Sequence, residues 1–137
     1  MDFQSVITQL YFLLIYADGN VNEKEILLGR QMAKIENIDS FELKLEKLKQ
    51  TKSDNLLSAS IATLKKLDRK LQIRSIAWMC VIANSDGFMD KEEWGLIYKI
   101  YNAELGLTLN EIMESQKELN KILFGTSFQS FGVKVND

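Results

Sequence analysis

Apolar residues recur along this chain at the three- and four-residue spacing of helices, in blocks separated by short polar or glycine-bearing breaks. The first block runs from about Asp2 to Ala17, where Phe3, Ile7, Leu10 and Leu14 define a wide buried face that stops at Asp18-Gly19. A second helix begins after Asn22, carries Ile26, Leu27, Met32, Ala33 and Ile35, and breaks at residues 37–40. Asp39 and Glu42 have capping-box spacing for a third, surface helix with Leu45 and Leu48 among lysines. The stretch 51–55 separates it from a fourth, with Leu57, Ile61, Leu64 and Leu67. The fifth follows Asp68-Arg-Lys, carries Ile73, Ile76, Ala77, Cys80 and Val81, and ends at Ser85-Asp86-Gly87. A sixth follows Asp90 and closes at Gly106, and Thr108 with Glu111 caps a seventh that carries Ile112, Leu119, Ile122 and Leu123. The pattern predicts an all-α fold of about seven helices in a compact bundle. It forms one domain over residues 1–124, followed by a tail over 125–137 that lacks a helical period and reads as a loosely docked or disordered end.

Two of these breaks are the same break. At an offset of 68 residues, Ala17-Asp-Gly-Asn-Val-Asn-Glu-Lys-Glu25 aligns with Ser85-Asp-Gly-Phe-Met-Asp-Lys-Glu-Glu93, and both reduce to Asp-Gly-x-apolar-Asx-x-x-Glu. Each copy follows an apolar helix and opens an amphipathic one, so two helical hairpins are pseudo-repeats of each other.

The repeated residues have two physical uses. Asn22 with Glu25, and Asp90 with Glu93, are capping boxes, in which the Asx side chain accepts from the third amide and the glutamate returns to the cap amide. Capping does not require Asp18 and Asp86, however. A glycine turn that brings these carboxylates toward Asn22 and Glu25, or toward Asn84, Asp90 and Glu93, gathers the oxygen ligands that Ca²⁺ or Mg²⁺ prefers. Both uses are open from the residues alone. The spacing also matches the back half of an EF-hand loop, whereas Leu14 and Ile82 stand where that loop has its first aspartate, which argues against an ordinary EF-hand. The second copy is the better furnished, because Asn22 replaces the acid found at Asp90.

Composition narrows the chemistry. There is no proline, 46% of residues are hydrophobic, and 137 residues suffice for one unaided core. Histidine is absent, which removes Ser-His and Cys-His catalysis and imidazole zinc sites. The single cysteine, Cys80, lies in an apolar run and reads as a core thiol in a reducing, cytoplasmic setting. No nucleophile with a partner base and no cofactor-binding loop is visible, which points away from an enzyme. The apolar stretch from Phe3 to Ala17 is interrupted by Gln4 and Gln9 and is shorter than the roughly 20 residues a span needs, so it predicts a buried helix and no membrane insertion.

Charge is segregated within a net of −2. Residues 40–75 carry nine Lys/Arg against four Asp/Glu, whereas the remainder carries eight against fifteen. Helical charge runs are most often solvated faces. With no aromatic residue between Lys44 and Arg74, nucleic-acid binding by stacking is not expected.

The doubled motif behind apolar helices resembles the TerB-like family of tellurite-resistance proteins, and is similar to the N-terminal domain of DnaJ-like co-chaperones of the DjlA type. The resemblance covers residues 1–124. It implies a pseudo-twofold all-α domain with an acidic patch that binds divalent metal, acting in bacterial stress-response complexes. Carried onto this chain, that patch falls on Asp18, Asn22 and Glu25 and on Asp86, Asp90 and Glu93. The resulting expectation is a non-enzymatic, metal-responsive module with a protein partner. The alternative is an interaction domain whose motifs are helix caps only.

Overall fold

A computed structural model describes residues 2–17, 19, 21–85, 87 and 90–136 of the chain, the last eleven by their backbone alone. Among them are seven α-helices and no strand: α1 (Phe3–Ile15), α2 (Glu23–Ile35), α3 (Phe41–Leu48), α4 (Ser53–Lys66), α5 (Arg69–Ala83), α6 (Lys91–Tyr98) and α7 (Leu109–Asn136). The all-α reading therefore holds.

The longest buried runs, along α1 and in the second half of α5, occupy the middle. Every residue from Ser75 to Ala83 of α5 is buried, as is every residue from Val6 to Ile15 of α1 except Gln9. α1 and α5 pack on each other; α3 and α4 cover α1, while α7 covers α5 most extensively. The hydroxyls drawn into this core are satisfied within their own helices, Thr8 donating to the carbonyl of Gln4 and Ser75 to that of Leu71.

The repeat reaches further than its motif. The same 68-residue offset carries the start of α1 onto Leu71 in the first turn of α5, the start of α2 onto Lys91 at the start of α6, and that of α3 onto Leu109 at the start of α7. α4 is the added element between the two halves.

Three local expectations change. α3 has no capping box at Asp39 and Glu42: its N-cap is Ser40, held at a left-handed φ of 54° without a side-chain cap, and Glu42 instead pairs with Arg30 at 2.8 Å. α4 starts at Ser53, inside the stretch read as a break. The sixth helix leaves α geometry after Tyr98 and continues to Glu104 as a π-helix, a wider turn that tertiary packing imposes and that hydrophobic periodicity does not encode. The backbone of α7 breaks at Gly125 (φ 61°), where the sequence placed the domain boundary, and is helical again to Asn136. Capping at Thr108 and Glu111 is as expected, with the return bond to the Thr108 amide at 3.1 Å.

Candidate metal centre

The two turns are built alike, bond for bond. In the first, the amide of Ala17 donates to the carbonyl of Leu14 at 3.1 Å and that of Gly19 to Tyr16 at 3.2 Å. In the second, Ser85 donates to Ile82 at 3.1 Å and Gly87 to Asn84 at 3.0 Å, each 68 residues on. Gly19 and Gly87 have φ of 80° and 104°, while a Cβ at either would meet nothing within 4 Å. Backbone conformation and not space therefore demands glycine there.

Both turns deliver the chain to a capped helix. Asn22 accepts from the amide of Glu25 at 2.8 Å, and Glu25 returns to the amide of Asn22 at 3.2 Å, a complete capping box. Asp90 likewise accepts from the amide of Glu93 at 2.8 Å. Asn84 is exposed at the end of α5, its side-chain amide donating to the carbonyl of Cys80 at 3.0 Å. Asp18 and Asp86 lie outside the described residues. Among the described residues no group of three acidic, histidine or cysteine side chains gathers as a metal would need.

What the fold adds is a meeting of the two copies. Glu25 and Glu93, one from each repeat, are both only 3% exposed, and the Glu93 carboxyl lies within hydrogen-bonding reach of Glu25. Burial first, then the hydrogen bond and negative charge of Glu25, then the charge of Asp90, push the Glu93 carboxyl up to about 9, opposed weakly by the Asp90 amide. None of the ion pairs among the described residues involves either glutamate. Two buried carboxyl groups in contact cannot both carry a charge uncompensated: they share a proton or are bridged by a cation. The positive ends of α2 and α6 supply part of the compensation. Nothing in either copy taken singly signals this contact.

Tyr11 also contributes here, although no motif in the sequence marks it. Its hydroxyl donates to the backbone carbonyl of Glu25 at 3.1 Å, and its ring packs on Gly29, joining α1 to the first turns of α2 beneath the paired carboxylates. Trp94, next to Glu93, is 39% exposed and belongs to a ring cluster with Tyr98 and Tyr101.

Three surface grooves lie near this end of the molecule, and neither Glu25 nor Glu93 lines them. Cys80 is buried and its thiol is pushed up to about 12 by desolvation, as suits a core residue. Of the basic residues in 40–75, Lys49, Lys65, Arg69 and Arg74 are engaged by Glu46, Glu104, Glu111 and Glu36 respectively. That region is thus partly neutralised from within. No helix among the described residues is long and apolar enough to cross a membrane.

Compared with protein-family models, curated proteins and solved structures, the chain matches none of them.

Proposed function

We propose that this chain is a non-enzymatic, divalent-cation-responsive binding module in which Ca²⁺ or Mg²⁺ replaces the proton between Glu25 and Glu93. Asp18 and Asp86 complete the oxygen shell in this reading, with Asn22, Asn84 and Asp90 around it. The supporting observation is the contact between two buried carboxyl groups contributed by equivalent positions of two repeated turns. A hard cation is the natural partner of such a donor set, which holds oxygen alone. The resemblance of the doubled motif to the TerB-like tellurite-resistance family supports this reading, under which the module would act in a cytoplasmic stress-response complex with a protein partner.

The test is titration of the full chain with Tb³⁺ and then Ca²⁺, read by energy transfer from Trp94 and by melting temperature. Saturable transfer that Ca²⁺ displaces, together with an upward melting shift lost in Glu93→Gln and Asp86→Ala, supports the proposal. Absence of both signals in the unsubstituted chain refutes it.

The capping bonds at Asn22 and Asp90 favour a second reading, in which the motifs are structural caps and the two glutamates share a proton permanently. Under that reading the melting temperature ignores Ca²⁺, and Asn22→Ala costs about 1 kcal/mol with or without chelator.

A further inference from the structure

We propose that the groove between the C-terminal end of α1, the start of α4 and α6 docks a cationic amphipathic helix of a partner protein. This names the partner class that the proposed function leaves open, and rests on that reading only for the existence of a partner, since its residues are different ones.

The groove, of about 390 Å³, has an apolar floor and an acidic rim. Phe12 and Leu13 form its floor, and with Leu56 they make a hydrophobic cluster separate from the main core. Leu57 and Leu96, both half-buried, continue that floor, and the 43% exposed ring of Tyr16 walls it, 4.8 Å from the ring of Phe12. Such a surface has room for large apolar side chains from outside. The charged side chains that line it are Asp54 of α4 and Glu92 of α6, both exposed and neither engaged in the ion pairs of the described residues.

Charge complementarity therefore selects the occupant. Apolar side chains at helical spacing fill the floor, and lysine or arginine on the flanks meets Asp54 and Glu92. The same rim repels nucleic-acid phosphates and anionic lipid headgroups, which sets those two classes aside. Ala17 and Glu92 line the groove while their chain neighbours Asp18 and Glu93 belong to the candidate cation site, so docking and ion binding share a border.

The full chain is titrated with a fluorescein-labelled amphipathic helix of leucine and lysine and with its leucine–glutamate counterpart, followed by anisotropy, each with calcium and with chelator. The expected result is saturable binding of the lysine peptide, weakened by salt, and none of the glutamate peptide. The exposed-site double variant Asp54→Lys/Glu92→Lys weakens binding by roughly tenfold or more, and Leu57→Glu does the same if it folds. Equal binding of the two peptides, or a lysine-peptide affinity indifferent to the double charge reversal, overturns the proposal. So does self-association of the chain that the same charge reversal abolishes, because the occupant is then a second copy. Peptide binding that persists in chelator while Tb³⁺ gives no signal leaves docking standing and removes the cation reading; the converse pattern removes docking alone.

Discussion

Tyr11 reaches from the middle of α1 to donate its hydroxyl to the carbonyl of Glu25 at 3.1 Å, and it can do so only because residue 29 has no side chain. A Cβ at Gly29 would overlap the ring and hydroxyl of Tyr11. Alanine in a helix interior normally stabilises by about 1 kcal/mol over glycine, whereas overpacking costs roughly 1–3 kcal/mol. Gly29→Ala is therefore expected to be net destabilising. Tyr11→Phe is expected to lose about 0.5–1.5 kcal/mol for the hydrogen bond, and the pair to be non-additive in urea denaturation. A stabilised Gly29→Ala would contradict the packing described.

The raised Glu93 carboxyl gives the ion-free protein an unusual pH response. Its folded value of about 9 lies above the ordinary 4.5, so the native state holds the proton that the unfolded chain releases between these limits. The stabilisation from this group is complete below about pH 4.5 and declines as pH rises toward about 9. In chelator, Glu93→Gln should flatten this decline and raise the melting temperature at pH 8 relative to the unsubstituted chain. On the cation proposal, adding Ca²⁺ at that pH reverses the order and releases protons, which calorimetry in buffers of different ionisation enthalpy detects.

Glu111 predicts the opposite limb. Hydrogen bonding to Arg69 first, and then to the amide and hydroxyl of Thr108, lowers its carboxyl to about 2. Its contribution is present above the ordinary 4.5 and disappears as pH falls toward about 2. Glu111→Gln should reduce stability at neutral pH and shrink the acid limb of the stability curve, measured by denaturant midpoints across that range.

Glu36 closes α2 against α5. One of its oxygens accepts from Arg74 at 2.5 Å and from the indole N–H of the fully buried Trp78 at 2.6 Å. Glu36→Ala strands that indole donor and should cost about 1–3 kcal/mol, with a change in Trp78 emission. Glu36→Gln keeps an acceptor and should cost less.

Much of the fold is legible in the sequence. The apolar run of α1 marked it as a buried helix, and Asn22, Asp90 and Thr108 marked helix starts through side-chain chemistry that acts within three residues, whereas the central place of α5 shows only in the packing. Where local signals competed, the tertiary structure decided. Ser40 took the α3 cap because the chain passes through a left-handed turn there, leaving Glu42 to Arg30. The π segment after Tyr98, which keeps Ile100 and Tyr101 buried, has no period of its own to read.

For the site the division is sharper. Two equivalent glycine turns, the helix starts that follow them and side chains that offer only oxygen are legible along the chain, because spacing, φ preference and side-chain type are properties of neighbours in sequence. The meeting of Glu25 and Glu93 in the interior, which lifts one carboxyl, comes from the packing of the helices that carry them. That contact joins residues 68 apart. It follows from the packing of α1 on α5, the helices that lead into the two turns, which no local pattern encodes.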